Sequence, residues 1–311
     1  MNNKEEAVFS ISVIIPTYNP NRDRLNKTLV ALKAQTLALT QWELIIVDNN
    51  STPPVKADLS WHPDAIILRE PMQGLTYARL RGFNAAKNSL LVMVDDDNLL
   101  DENYLQNATT IFGNQAGLGA IGGKSLPEFE ITPPSWLKEF YGSLALRDMG
   151  HETHIQSWQN NYPQYGPIGA GMAIRKEALA SYMKKAQSQQ NMITDRTGTS
   201  LASGGDNDIV LELLRSGWLV GYFPQLVLHH IIPKERMEVA YLAKLLNNTN
   251  HSWIKLLHSH GINPWKKIPG WTVPLRKVKG WFVHNAFAGK VNYIKWRGYC
   301  GTTDALARLE P

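Results

Sequence analysis

The sequence predicts an α/β fold, a Rossmann-like, mostly parallel sheet flanked by helices. Three observations lead there. Short apolar runs alternate with helix-patterned stretches through the first 125 residues. Several of those runs end in polar or acidic loops, and strands spaced by helices form βαβ units whose crossovers cover both faces of a parallel sheet. The chain has 311 residues, 43% hydrophobic and 19% charged, enough apolar material to bury a large core and too much for disorder.

The elements follow in order. Ile11–Ile15 is the first strand, closed by the turn formers Pro16-Thr17-Tyr18-Asn19-Pro20. A helix comes next, with Leu25, Leu29, Leu32 and Leu39 near one face. Glu43–Val47 ends at Asp48 and the polar loop Asn49-Asn50-Ser51-Thr52, and Ala65–Leu68 makes the third strand. Gly74 opens a helix through Ala86, and Leu90–Val94 runs straight into Asp95-Asp96-Asp97. Ligands of such sheets gather at the carboxyl ends of strands, where Asp48 and the aspartate cluster fall. Beyond Lys124 the pattern loosens. Residues 126–168 show no clean period, Gly166–Ile174 is small and apolar, and Arg175–Met183 is helical. Residues 184–205 read as a polar, mobile loop and a lid. A helix over Asp208–Leu214, a strand over Leu219–Phe223 and a long amphipathic helix over Arg236–Leu257 complete the pattern.

Charge and cysteine usage narrow the function. The single Cys300 excludes an intrachain disulfide framework and a cysteine-based zinc site, and fits a reducing cytoplasm. No apolar run approaches the ~20 residues that span a bilayer, and residues 1–10 lack the pattern of a signal peptide. The net charge of +5 is uneven. Residues 261–300 carry eight Lys and Arg, no Asp or Glu, and four of the ten tryptophans, so that window is +8 and the remainder −3. No nucleic-acid motif accompanies the basic tail. It reads either as a subdomain packed on the body through its tryptophans, or as a surface for an anionic membrane.

Three adjacent carboxylates after an apolar strand repel one another and call for a cation, and oxygen donors suit Mg²⁺ or Mn²⁺. The plain alternative is a solvated turn capping a helix that starts at Leu99-Leu100-Asp101-Glu102. In Ser203-Gly204-Gly205-Asp206-Asn207-Asp208 a carboxylate serves either as a helix cap or as a general base. The pair His229-His230 follows a strand and offers a further metal ligand. Arg79, with Arg81 on the same helix, could grip a diphosphate.

In this order the segments resemble the family-2 glycosyltransferases, whose nucleotide-sugar-binding fold is called GT-A. The matching stretches are Val13–Asn19, Ile46–Ser51, Gly74–Arg79, Val92–Asp97, Gly169–Arg175, Gly205–Asp208, Leu213–Trp218 and Phe223-Pro224 through His229-His230. The ordered set is far more specific than any one of them. The resemblance implies a catalytic domain over residues 1–235, followed by a helical, basic, Trp-rich extension over 236–311. It implies that Pro16, Thr17, Tyr18 and Asp48 contact the base and ribose, that Arg79 reaches the phosphates, and that Asp96 lies at the donor. Asp95 and Asp97 match the outer carboxylates of the family's DxD motif, which with His230 would hold Mn²⁺ or Mg²⁺. Gly169, Ala170, Gly171 and Met172 match the loop that contacts donor sugar and acceptor. Asp206 matches the catalytic base, with Asp208 as competitor because the family's preceding Glu is Gly205 here.

The implied activity is inverting transfer of a sugar from a nucleotide-diphosphate donor to an acceptor hydroxyl on a glycan or lipid-linked glycan. The enzyme would be cytoplasmic, and peripheral on the inner face of the membrane if the tail docks there. A sugar-nucleotide pyrophosphorylase ranks below it, since Pro16–Arg24 lacks that class's glycine-rich signature. So does a non-catalytic binder, since Asp95–Asp97, Asp206 and His230 are all retained.

Overall fold

Residues 9–188, 201 and 203–309 are described in the computed structural model of the chain. The expected lid over 184–205 therefore lies largely outside the described residues. Its first five residues, 184–188, belong to a helix.

The amino-terminal half follows the apolar pattern closely. β1 (Ile11–Thr17) is buried along its whole length, as a central strand covered on both faces must be. α1 (Arg22–Lys33) starts at Asn21, whose side-chain oxygen accepts from the amides of Asp23 and Arg24. It buries Leu25, Leu29 and Leu32 but ends at Lys33, which leaves Leu39 in a separate single turn outside the helix. β2 (Trp42–Asp48), β3 (Ala65–Arg69), α2 (Leu75–Ala85) and β4 (Leu90–Met93) complete the βαβ portion. β1 pairs in parallel with β2 on one side and β4 on the other, and β2 pairs with β3. The carboxyl ends of β1 and β4 thus open a crevice between neighbouring strands whose connections depart to opposite sides, where α/β sheets bind ligands.

The next three elements are β5 (Asn98–Leu100), α3 (Tyr104–Asn114) and β6 (Leu118–Phe129). The helix expected to begin at Leu99 is corrected here. Residues 98–100 pair antiparallel with a distant strand, and the helix starts only at Tyr104. After β6 come β7 (His154–Gln156), β8 (Ala173–Arg175), α4 (Ala180–Ser188), α5 (Gly205–Arg215) and β9 (Leu219–Ile232). β9 is longer than its apolar core suggests, because its far half pairs with β5 and β6. His229 and His230 therefore sit within a strand and not at its end. The sheet order is β3-β2-β1-β4-β8-β6-β9-β5, with β7 beside β9. Strands β1, β2, β3, β4, β6 and β9 run one way and β5, β7 and β8 the other.

Alternation along β1 divides the core between the two faces. Ile11, Val13 and Ile15 join α1 and α3 on one side, while Ile14 joins α2 and α5 on the other. The chain ends with α6 (Val239–Ser259), α7 (Val273–Val283) and α8 (Lys290–Ala307). α6 begins three residues later than its periodicity suggests, because Lys234–Met237 form a separate short turn. Leu242, Leu245 and Ile294 form a third core with Leu137, Phe140 and Leu144, which ties the carboxyl-terminal helices to the body. α8 approaches α6 closely through Gly298 and Gly301.

A Cβ on Gly301 would lie 2.0 Å from the Asn247 carbonyl oxygen of α6, whereas one on Gly270 would meet nothing within 4 Å. Gly301→Ala is expected to lower unfolding free energy by about 1–3 kcal/mol, the usual range for overpacking. Gly270→Ala should leave the urea midpoint unchanged, and the two midpoints measured side by side check the contrast.

Candidate active site

One cleft of 340 Å³ lies over the carboxyl ends of β1, β2 and β4. Its size suits a small-molecule site. Pro16, Thr17 and Tyr18 leave β1 into it, and Tyr18 keeps much of its ring exposed. Asn49 lines it after β2, whereas Asp48 is buried behind the rim. Both Asp48 oxygens are committed, to the amides of Ser51 (2.8 Å) and Val55 (3.1 Å). Burial opposes ionisation there, but the hydrogen bonds from Ser51 and Val55 hold the carboxyl below its ordinary range. Asp48 orders the loop beside Asn49 and is not among the residues that line the cleft.

Asp95, Asp96 and Asp97 enter the cleft from β4. Asn98, fully buried, pins their turn by accepting from the Asp95 amide and donating to the Asp97 carboxylate. Burial first, and Asp97 second, push the Asp96 carboxyl up to about 7, while a hydrogen bond from the Thr17 hydroxyl works the other way. Arg236 answers this concentration of negative charge. Its guanidinium lies 2.9 Å from Asp97 Oδ2 and 2.9 Å from His230 Nε2. Burial disfavours its charge, but Asp97 and then Tyr241, Asp95 and Asp96 hold it more firmly protonated than usual.

An arginine can only donate, so His230 Nε2 accepts and its proton sits on Nδ1. Nε2 and the nearest Asp97 oxygen lie 3.4 Å apart. Two donors about 2.1 Å from one ion at right angles would sit about 3 Å apart, so the pair has the spacing for a divalent cation, which would replace Arg236 at the Nε2 lone pair.

Asp206 lines the same cleft from the first turn of α5. The cap of that helix is Gly204, with no side-chain bond, so neither Asp206 nor Asp208 is the capping residue. Asp206 Oδ2 accepts from the Gly169 amide (2.8 Å), and Oδ1 from the Asn207 amide (3.0 Å). A Cβ on Gly169 would come within 3.0 Å of both Arg79 Nη2 and Asp206 Oδ2, so arginine, carboxylate and backbone meet at this glycine. Ala170 also lines the cleft, while Gly171 and Met172 lie behind it. Gly171 has φ +74°, and its carbonyl accepts from the buried Tyr104 hydroxyl at 2.5 Å. Met172 is in the core, and Arg81 points to solvent.

Asp208 stands apart from the cleft. It is 1% exposed, with Lys185 Nζ and His260 Nε2 each 2.6 Å from its Oδ1. Glu212 completes a group that could surround one ion, but Lys185 lies 3.2 Å from Glu212 and already supplies the positive charge. The cluster cross-links α4, α5 and the end of α6.

The sequence profile of glycosyl transferase family 2 matches residues 12–182. The chain belongs to glycosyltransferase family 2. It is 24% identical over 159 residues to a glucosyl-dolichyl phosphate glucuronosyltransferase of Haloferax volcanii, covering half of each chain. This family member thus spans about half the length of that relative. It is also 28% identical to the O-antigen chain rhamnosyltransferase WbaN of Salmonella anatum over 229 residues, 71% of this chain and 66% of that one. Among solved structures, a mannosyltransferase from Pyrobaculum calidifontis in complex with GDP-Man and Mn²⁺ aligns with a TM-score of 0.54 at 16% identity. The alignment covers 97% of this chain and 76% of that one, and shows the shared GT-A fold.

Of the residues singled out in the sequence, this family member brings Pro16, Thr17, Tyr18, Arg79, Asp95, Asp96, Asp97, Gly169, Ala170, Asp206 and His230 to one cleft. Sequence reasoning missed Arg236, Tyr241 and Leu245, which also line it. No local motif surrounds Arg236, and only its contact with Asp97 and His230 marks it.

Lys185→Met would leave Asp208 and Glu212 without their cation. Chemical denaturation is expected to show a loss of about 1–3 kcal/mol, the cost of stranding a charged partner. Donor affinity, measured by calorimetry on the folded variant, should stay unchanged.

Proposed function

We propose that the chain catalyses inverting transfer of a sugar from a nucleoside-diphosphate donor to an acceptor hydroxyl on a glycan or lipid-linked glycan. The observation that carries this reading is the shared cleft. It holds the acidic turn Asp95-Asp96-Asp97 after β4 and a separate carboxylate, Asp206, fixed by two backbone amides.

Pro16, Thr17 and Tyr18 hold the base and ribose, and Asp48 keeps their neighbouring loop in place. Arg79 grips the diphosphate bidentately, with Arg236 as a second positive charge beside it. Asp95, Asp97 and His230 are the residues that would hold Mn²⁺ or Mg²⁺, and the bound ion would add positive charge where the leaving diphosphate gains negative charge. Asp96 packs against Thr17 and shapes the turn. Gly169 and Ala170 border the donor sugar and acceptor, with Gly171 and Met172 supporting that loop from behind.

Asp206 takes the proton of the acceptor hydroxyl as that oxygen bonds to the anomeric carbon. The carbon–oxygen bond to the diphosphate breaks with its electron pair leaving on the nucleotide, and attack from the opposite face inverts the configuration. Orientation and exclusion of water matter, because water is a competing acceptor.

The Haloferax volcanii relative is named for a glucosyl-dolichyl phosphate, which supports a lipid-linked acceptor and hence work at a membrane surface. We assign the catalytic unit to residues 1–235 and the extension to 236–311, with Arg236, Tyr241 and Leu245 completing the cleft from the extension.

Asp206→Asn is nearly isosteric but cannot take the proton. Its turnover should fall by ~10²–10⁴-fold with donor affinity kept. A larger loss for Asp208→Asn in folded protein overturns the assigned base. Asp97→Ala should abolish the Mn²⁺ dependence of nucleotide binding, measured by calorimetry with and without EDTA. Unchanged transfer in EDTA overturns the metal assignment, and nucleotide-sugar binding without transfer or hydrolysis favours the non-catalytic reading.

A further inference from the structure

The exposed surface of the chain carries one conspicuous apolar stripe outside the cleft. Trp271, Leu275, Val278 and Phe282 recur at steps of four, three and four residues, so they share one face of α7 and the turn before it. Val283 and Phe287 extend the patch, and each of these six side chains is at least 60% exposed. The opposite side of α7 is fully occupied. Gly280 is buried against the Tyr299 ring, Trp281 packs edge-on against Trp296 at 4.8 Å, and the Trp296 indole donates to the Lys277 carbonyl. α7 thus rides on α8 with its apolar face turned outward.

Charge selects what covers that face. The surrounding window, 261–300, is +8 with no acidic residue. Among the described residues, Lys277 and Lys295 reach carboxylates, those of Asp304 and Glu139. Arg276 and Lys279 on α7, and Lys266, Lys267 and Lys290 of the same window, are exposed with no ion pair among the described residues. A second copy of the same face would meet like charge. A large apolar patch with a basic rim is the pattern of a helix lying in a membrane interface. No helix among the described residues is long and apolar enough to cross a bilayer, so docking lies in the plane of the surface.

We infer that α7 docks on an anionic membrane, with Trp271, Leu275, Val278 and Phe282 at the headgroup–acyl boundary and the surrounding lysines and arginine against lipid phosphates. The inference deepens the transferase reading by naming the surface that presents a lipid-linked acceptor, and it rests on that reading for its purpose. The attraction itself needs no substrate, so its failure is distinguishable from failure of the catalytic assignment.

The test is co-sedimentation of the full chain with vesicles of phosphatidylcholine alone and of phosphatidylcholine mixed with phosphatidylglycerol, at low and high salt. Wild type should bind the mixed vesicles at least about tenfold better at low salt, with the preference shrinking as salt screens the charges. Leu275→Glu/Phe282→Glu should reduce vesicle binding at least about tenfold under both salt conditions. Lys266→Gln/Lys267→Gln/Lys279→Gln changes only exposed side chains and should remove most of the preference for anionic lipid. Equal partitioning of wild type and both variants overturns the inference, as does no binding by wild type. A concentration-dependent dimer of wild type, abolished by Leu275→Glu/Phe282→Glu in sedimentation velocity, overturns it in favour of a self-association face.

Discussion

Three carboxylates in succession at the end of a buried strand repel one another, and the chain must offset that repulsion wherever it folds. Asp95, Asp96 and Asp97 are held by Asn98 from below, by the Thr17 hydroxyl from β1 and by Arg236 from beyond β9. Each of those partners arrives on a different element. The turn therefore depends on the parallel pairing of β1 with β4 and of β6 with β9, and on the antiparallel pairing of β5 with β9 that sets His230 beside Asn98. Removing any of these pairings would strand the aspartates. The same concentration of negative charge that burdens the fold makes the site attractive to cations.

Much of the amino-terminal half was legible because β1, β2 and β4 are covered on both faces and so read as unbroken apolar runs. The loops that leave them were equally visible, since polar residues after such a run can hardly lie anywhere but at a strand end. β5 was not legible. It has three residues, and its partner lies about 130 residues away, so no local pattern marks it. The full extent of β9 escaped for the same reason, with polar histidines inside a strand whose outer half faces β5.

The candidate site shows a similar division. Asp95, Asp97, Asp206 and His230 stand in recognisable segments, whereas Arg236 is one cation in an ordinary charged turn. Asp48 stands at the expected strand end, and each of its oxygens accepts from a backbone amide of the following loop, a contact that only the loop conformation reveals. For the basic tail, composition gave charge and tryptophan content but not orientation. Trp281 and Trp296 face each other while Trp271 faces outward, with Gly280 of α7 lying against Tyr299 of α8.

Lys185 and Asp208 join the last turn of α4 to the first turn of α5, and His260 locks the same carboxylate from the end of α6. Whatever chain runs between those two helices therefore leaves from, and returns to, fixed points. The entropy of closing a connection grows only slowly with its length once its ends are held. Insertions or deletions there would shift little of that balance, and Asp206, two residues from the clamp, would keep its place. The connection is thus free to diverge in length and composition while Asp206 keeps its position in the cleft.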